Sequence, residues 1–560
     1  MPILPPFDQL PEALARRLLV GGSGPGLIPA RDAALAAGPD FADLADALCL
    51  AVWEGAPFCS EAAALLAARH KRRAFLSASL AQPVAAVVAA TRPATADPYF
   101  ERLAARRDIP KMLAYLLERH RKTPNDPTIL HRLAVFAPMA RTAGDIREVE
   151  AAFTKLSGPV APLGTMLAAE LAWLDGRADA AVAYSQSLLA VFPADSVRLG
   201  LAAALLRQGG RHAAVAELAA LGRARPWDVL ALCRLHDVAT GFCDRLTPLL
   251  GSVAVLLYSF NNAPLLDRAL AALAETDWQY AVDTGGPRLF ALDNGSHDET
   301  AAVLASWRER LGERLRVVSL PVNVGAPAAR NWLASLPEVR AADFVAYLDD
   351  DAFVPADWLG LFGSAVVGYP EAGVWGGLIR GLDAPHFVQC ADSHLFPRAH
   401  RDDGFGRAFD LAKPWLVTPD LGQFAVCRPC ASVTGCCHLF RTSVLTSLGG
   451  FDIRFSPSQY DDLDHDLRLL LAGRVPVCQG HLAVIHAKAT GLAGNPGGAQ
   501  YGSGYANQFK LHHKYDDAAV LQAAGAAFAA LSEDAARKLA RVNDLGLGGP
   551  AETGEGLRGR

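Results

Sequence analysis

From Ser252 onward the chain alternates short apolar runs with helix-forming stretches, and few folds accommodate that rhythm. VAVLLYSF, RLFALD, RVVSL and FVAYLD have strand length and continuous apolar character, as expected of strands buried on both faces. Between them lie APLLDRALAALAE and ETAAVLASWRERLGE, whose apolar residues recur at helical spacing. Strand and helix in alternation predict a mostly parallel sheet covered on both sides. Such sheets bind ligands beyond the carboxyl ends of their strands. The polar residues that close these strands are therefore the first candidates: Asn261 and Asn262, Asp293 and Asn294, Asn323, and the run Asp349, Asp350, Asp351.

The first half reads differently. Residues 1 to about 245 are rich in Ala, Leu and Arg with Pro and Gly breaks, which favours helices. LAWLDGRADAAVAYSQSLLAVFP (171–193) is echoed by AALLRQGGRHAAVAELAALGRARP (203–226), with Gly176 and Gly210 lying 34 residues apart. That period resembles tetratricopeptide repeats, the plainer alternative being a helical bundle with one duplicated hairpin. The expected organisation is a helical region over 1–100, repeat-like helices over 101–245, an α/β domain over 251–515, and a C-terminal helix with a disordered tail over 516–560.

A chain of 560 residues exceeds one ordinary core, and 51% hydrophobic with 20% charged residues is globular composition. The net charge of -5, with Lys and Arg dispersed, excludes a general electrostatic grip on nucleic acid. The opening MPILPPFDQLPEALARRLLVGG lacks the basic and apolar regions of an export signal, and no apolar run reaches the roughly 18 residues of a membrane span. Ten cysteines, mostly isolated, suit reduced thiols, so a cytoplasmic protein is expected. In CRPCASVTGCCH the Cys427/Cys430 pair could bite a zinc ion, but the second half has no matching spacing, and buried strand cysteines are the simpler reading.

Were the strand extended through Asp351, Asp349 and Asp351 would share one side and Asp350 the other. Two carboxylates facing one point suit a hard divalent cation, Mg²⁺ or Mn²⁺, which offsets their repulsion and holds a diphosphate opposite. A helix cap near Pro355 and Asp357 would account for one acid, not three. In ALDNGSHDET, Ser296 and Glu299 fit a capping box, leaving Asp293 as an acceptor suited to a base edge. In YDDLDHDLRLLLAG, Leu463, Leu467, Leu470 and Leu471 define one face of a helix whose acids fill its first turns. Favourable interaction with the helix dipole explains some of those acids, such as Asp461 or Asp464.

VAVLLYSFNNAPLLDRAL, FALDNGSHDET, NVGAPAARN, YLDDDAFVP, TGCCHLFRTSVLTSLGGFD and YDDLDHDLRLLLAG occur in order over about 251–490, and together they resemble family 2 glycosyltransferases of the GT-A fold. The resemblance implies a multidomain chain: an all-α N-terminal helical region followed by an α/β nucleotide-diphospho-sugar transferase domain. It implies that Tyr258, Phe260 and Asp293 contact the base and ribose, Arg330 a phosphate, and Asp349 or Asp350 the ribose or donor sugar. Asp351, with Asp349 and His486, is implied to hold the metal. Asp462 is implied as the general base, with Asp464 the second choice. The family commonly has proline where Tyr258 stands and often tyrosine where Phe260 stands, so the base pocket differs here.

A histidine in the place of His486 is more often simply hydrogen-bonded, and that alternative stays open beside the metal role. GLAGNPGGAQYGSGYANQF (491–509) is so rich in glycine that no fixed element is expected, and it reads as a lid over the donor or as a passive linker. The acceptor pocket is expected within 380–430, and disorder from about 545. The whole predicts a metal-dependent inverting transferase using a nucleotide sugar, its helical half positioning a protein acceptor such as flagellin. A lipid-linked or polysaccharide acceptor is the alternative, and a scaffold with a degenerate transferase half is the reading of another class. No G-x-G-x-x-G follows VAVLLYSF, which excludes a dinucleotide-dependent oxidoreductase.

Overall fold

The computed structural model describes residues 9–93, 96–401, 403–416, 418–487 and 498–548. These form two compact units: one holds the described residues up to Thr240, those of Pro414–Phe424 and those from Ala535 on, the other Gly241–Lys413 and Ala425–Asp534. No described helix is long and apolar enough to cross a membrane.

The first unit is helical up to Thr240. Its helix starts are written into the sequence: Asp97 and Asp126 each precede a proline at the first helical position, and their carboxylates accept the N–H of Phe100 and Thr128. Helices Ala161–Leu174, Ala178–Leu189, Ser196–Arg207 and Arg211–Ala224 pack successively on one another. The two echoed turns superpose one residue off the sequence pairing: Gly176 matches Gly209, not Gly210. Both Gly176 and Gly209 are left-handed, at φ 76° and 78°, where a side chain would be strained. The following residues, Arg177 and Gly210, donate their N–H to Ala172 and Leu205 respectively.

The second unit is built on a mixed sheet. Its strands are β1 (Val253–Ser259), β2 (Leu289–Asp293), β3 (Leu315–Ser319), β4 (Phe344–Asp349), β5 (Ala352–Phe353), β6 (Val374–Gly381), β7 (Val388–Cys390), β8 (His394–Pro397), β9 (Phe409–Ala412), β10 (Cys427–Pro429), β11 (Cys437–Arg441) and β12 (Val477–His486). The order across the sheet is β10-β12-β6-β11-β4-β1-β2-β3, with β5 on β12 and β7 on β6, while β8 and β9 form a separate ribbon. Strands β1, β2, β3, β4, β6 and β12 run one way; β11 is inserted antiparallel between β4 and β6. The mostly parallel sheet predicted from the apolar runs is present, covered by helices whose Leu266, Leu270, Leu273, Leu304 and Trp307 join its core.

The 380–430 segment contains β7 to β10, strands of three or four residues too short to declare a period. One expectation is corrected. The glycine-rich stretch is helical from Gly498 to Lys514. Gly504 lies against the Gln459 side chain, whose Oε1 would be 2.5 Å from a Cβ placed there. The lid residues 491–497 and the expected tail from 549 on lie outside the described residues. All ten cysteines are free thiols; Cys427 and Cys437 pack in the main core, and Cys430 is buried, its thiol donating to the carbonyls of Ser432 and Pro476.

Candidate active site

Strand polarity gathers the candidates at one edge of the sheet. The parallel strands β1, β2, β4 and β12 end there with Ser259, Asp293, Asp349 and His486, and antiparallel β11 begins there just after Cys436. Strand β4 stops at Asp349 and the chain turns at Asp350 and Asp351, so the extended run through Asp351 does not form. Pairing of β5 with β12 restores the convergence by another route, placing His486 opposite Ala352. His486 Nε2 lies 3.0 Å from Asp351 Oδ1 and 3.9 Å from Asp349 Oδ2. Asp350 turns away toward β1, its Oδ2 accepting the Ser259 hydroxyl at 2.5 Å.

Arg330 joins this acid group to the second one. It lies on helix Ala326–Ala334, buried, with Nη2 donating to Asp349 Oδ1 at 3.2 Å and Nη1 to Asp461 Oδ2 at 2.5 Å. Its guanidinium also stands 5.4 Å from the Tyr258 ring centre and 5.3 Å from that of Phe451. Arg330, expected to contact a phosphate, finds carboxylate partners within the protein in Asp349 and Asp461, as a cation buried this deeply needs. Burial raises the Asp461 carboxyl to about 6, against the pull of Arg330.

Helix Asp461–Leu471 then separates its acids. Asp462 is half-buried; its Oδ2 accepts the N–H of Gly435 at 2.9 Å and its Oδ1 that of Leu463 at 2.8 Å. Gly435 also abuts Arg330, since a Cβ there would sit 2.9 Å from Nη2. Asp464 is fully buried, with Oδ1 accepting from Lys514 Nζ at 2.5 Å and from the Tyr515 hydroxyl at 2.8 Å, and Oδ2 lying 3.3 Å from Arg468 Nε. Two helix positions differ by about 200° around the axis. Asp464, the second candidate base, therefore anchors the helix through Lys514 and Tyr515 and lies apart from the cluster of Arg330, Asp349 and Asp462.

The backbone entering this helix is held in an unfavourable form. Gln459 and Tyr460 are left-handed at φ 77° and 69°, a conformation non-glycine residues rarely adopt. Asn507, buried on helix Gly498–Lys514, donates through Nδ2 to the carbonyls of Phe455 at 2.6 Å and Ser458 at 2.9 Å. Ala326 N–H donates to the Pro457 carbonyl at 2.7 Å from the other side. The loop is thereby clamped between two helices.

The nucleotide candidates sit at the ends of β1 and β2. Tyr258 is half-buried, and burial raises its phenol well above the usual value. Phe260 is exposed and Asp293 buried. Asp293 does have a structural task, since Oδ1 accepts the Ser296 N–H at 2.9 Å. The expected capping box is absent: Ser296 Oγ accepts from Asn261 N–H, and Asp298 instead receives the N–H groups of Thr300 and Ala263. Asn294 and Asn323 tie the loops after β2 and β3 together, with Asn294 Nδ2 donating to Asn323 Oδ1 at 3.0 Å.

Among the described residues, the ligand atoms of Asp349, Cys436 and His486 form a group lying within 4.8 Å of one another, with Asp351 beside it. Carboxylates with an imidazole are a donor set that a divalent ion such as Mn²⁺ fits. Burial works against a charge on His486, but Cys436 and Asp351 hold its pKa up to about 11. Gln389 Nε2 stands 3.0 Å from the ring's other nitrogen, Nδ1. In the sequence Asp461 has only a helix-dipole role, and nothing singles out Gly435, Gln389 or Asn507. The Cys-x-x-Cys spacing singles out Cys427 and Cys430, and no spacing shows that Cys436 lies 3.8 Å from His486.

Residues 254–449 match the model of glycosyl transferase family 2. The O-antigen biosynthesis protein RfbC of Myxococcus xanthus is 28% identical over 234 residues, covering 41% of this chain and only 17% of that protein. The N-acetylglucosaminyl-diphospho-decaprenol L-rhamnosyltransferase of Mycobacterium tuberculosis is 26% identical over 270 residues, 46% of this chain and 81% of its own length. A crystal structure of GalNAc-T7 with UDP, GalNAc and Mn²⁺ aligns with 48% of this chain and 50% of that one, at 13% identity and a TM-score of 0.36.

Proposed function

The chain carries a family 2 glycosyltransferase domain over residues 254–449, and from that premise we propose that it moves a sugar from a nucleoside diphosphate to an acceptor hydroxyl with inversion at the anomeric carbon. One observation supports this most: Arg330 links Asp349, at the end of β4, to Asp461, at the start of the helix that carries Asp462. A donor-holding acid group and a candidate base thereby face one space.

In this reading Tyr258, Phe260 and Asp293 receive the base and ribose, and Asp350, held by Ser259, faces the ribose or sugar. Asp349, Asp351 and His486 would hold a divalent ion, Mn²⁺ or Mg²⁺, which when bound neutralises charge on the departing diphosphate. Asp462 takes the proton of the acceptor hydroxyl as its oxygen bonds to the anomeric carbon and the bond to the diphosphate breaks. Arg330 positions Asp349 and Asp461 instead of gripping phosphate. The strained turn at Gln459 and Tyr460 aims Asp462 from the other side.

For the acceptor, the names of the Myxococcus and Mycobacterium relatives favour a cell-surface glycan, the second of them a glycan on a lipid diphosphate. A protein acceptor such as flagellin, presented by the helical unit, is the second reading, motivated by the stacked helices up to Thr240. Titration calorimetry of UDP, GDP and dTDP with and without Mn²⁺ tests the donor site. We expect metal-dependent binding of one of them, lost in Asp351→Asn; equal affinity in wild type and variant would remove the proposal.

A further inference from the structure

We propose that Cys436 is a protein ligand of the divalent ion held by Asp349 and His486, and that its sulfur makes this centre select a thiophilic ion. The inference rests on the metal site of the proposed function and adds to it a ligand and a preference among ions.

Three chemically different donors meet here, each delivered by a different part of the sheet. The carboxylate of Asp349 closes β4, the thiol of Cys436 immediately precedes β11, and the imidazole of His486 closes β12. Sheet hydrogen bonds fix all three. Cys437 pairs with Leu348 across β11 and β4, and the Asp349 N–H donates to the Cys436 carbonyl at 3.1 Å, so Cys436 and Asp349 lie opposite one another. His486 is held by pairing with Ala352 on one side and Gly381 on the other. Cys436 Sγ lies 3.8 Å from His486 Nε2, and the Thr434 hydroxyl donates to the same sulfur at 3.5 Å. That hydroxyl stabilises a thiolate more than a thiol.

Carboxylate oxygens alone would favour Mg²⁺ or Mn²⁺, whereas sulfur with imidazole shifts preference toward Zn²⁺, Co²⁺ and Cd²⁺. As the metal–sulfur bond forms, the thiol S–H is broken and its proton passes to solvent. His486 Nε2 likewise gives up its proton to solvent as the metal–nitrogen bond forms, so the ring proton that remains is on Nδ1, and Gln389 turns its amide oxygen to accept it. A side chain able to make that turn stands at the required place.

Cobalt substitution of the full chain tests the assignment without relying on turnover. Wild type should show the visible ligand-field bands of bound Co²⁺ together with a near-ultraviolet thiolate-to-cobalt charge-transfer band. Cys436→Ser, folded by circular dichroism, should keep the visible bands and lose the charge-transfer band. Its affinity for Zn²⁺ and Co²⁺ should fall about tenfold or more, while Mg²⁺ affinity moves less than about twofold. Visible bands in wild type without the near-ultraviolet band, or an unchanged spectrum in Cys436→Ser, would overturn sulfur ligation and leave the Asp349, Asp351 and His486 site standing. No cobalt bands in wild type at all would overturn both.

Discussion

Replacing Arg330 by methionine removes a group that ties the acid clusters together. Arg330 is buried and makes charge-assisted hydrogen bonds to Asp349 and Asp461. Removing one member of a buried ion pair costs about 3–5 kcal/mol, because the other charge is left in a medium that cannot solvate it. Asp461 has an escape: burial already raises its carboxyl to about 6, and without the cation it rises further, so the group takes up a proton near neutrality. The loss should therefore be near about 3 kcal/mol at pH 8 and smaller at pH 5.5, where protonation is nearly free. Guanidinium unfolding, following the ellipticity of the sheet, measures it at both values. Adding Asp461→Leu should recover stability to within about 1 kcal/mol of wild type, as apolar replacement of buried pairs does. Diphosphate binding should not return, since Asp349 has lost its anchor. A cost below about 1 kcal/mol at pH 8, or no recovery in the double variant, would refute the view of Arg330 as the junction.

Other outcomes follow from the same geometry. Asn507→Ala deprives the carbonyls of Phe455 and Ser458 of their donor and should cost about 1–3 kcal/mol in chemical unfolding. If the clamp aims Asp462, steady-state kinetics should show kcat falling about tenfold with KM little changed; equal loss in both would assign Asn507 to folding alone. Because the Asp461 carboxyl is raised from 3.8 to about 6, the folded chain keeps a proton between those values that the unfolded chain has lost. Asp461 therefore makes stability fall as pH rises through that window, by up to about 1.4 kcal/mol per unit, and is neutral to it above. Asp461→Asn should remove that component from unfolding measured at pH 4, 5 and 6.

The apolar strands were legible because a strand buried on both faces has no polar residue to interrupt it, as in RLFALD and FVAYLD. Once their direction is set, the rule that ligands gather at carboxyl ends leads to Asp293, Asp349 and the residues after β1. What stayed hidden depends on contacts far apart in the chain. Arg330 meets Asp461 across 131 positions, and no local pattern says which of its possible partners a buried cation will choose. Asp462 and Asp464 look alike until Lys514 and Tyr515, some fifty positions on, capture Asp464. The Ser296–Glu299 motif was satisfied on paper, but Asp298 reaches the backbone of two helices at once and supplants it. Cys436 faces His486 only because β11 enters the sheet antiparallel beside β4, a topology that no spacing of cysteines announces.

Turnover in Asp462→Asn, set beside its ligand binding, is the decisive measurement. Nucleoside diphosphate with Mn²⁺ should bind within about threefold of wild type, while release of nucleoside diphosphate in the presence of acceptor should fall by about 10²–10⁴. Turnover at the wild-type rate with binding intact would contradict the assignment of the acceptor's proton to Asp462, and with it the reading of this sheet edge as the transfer site.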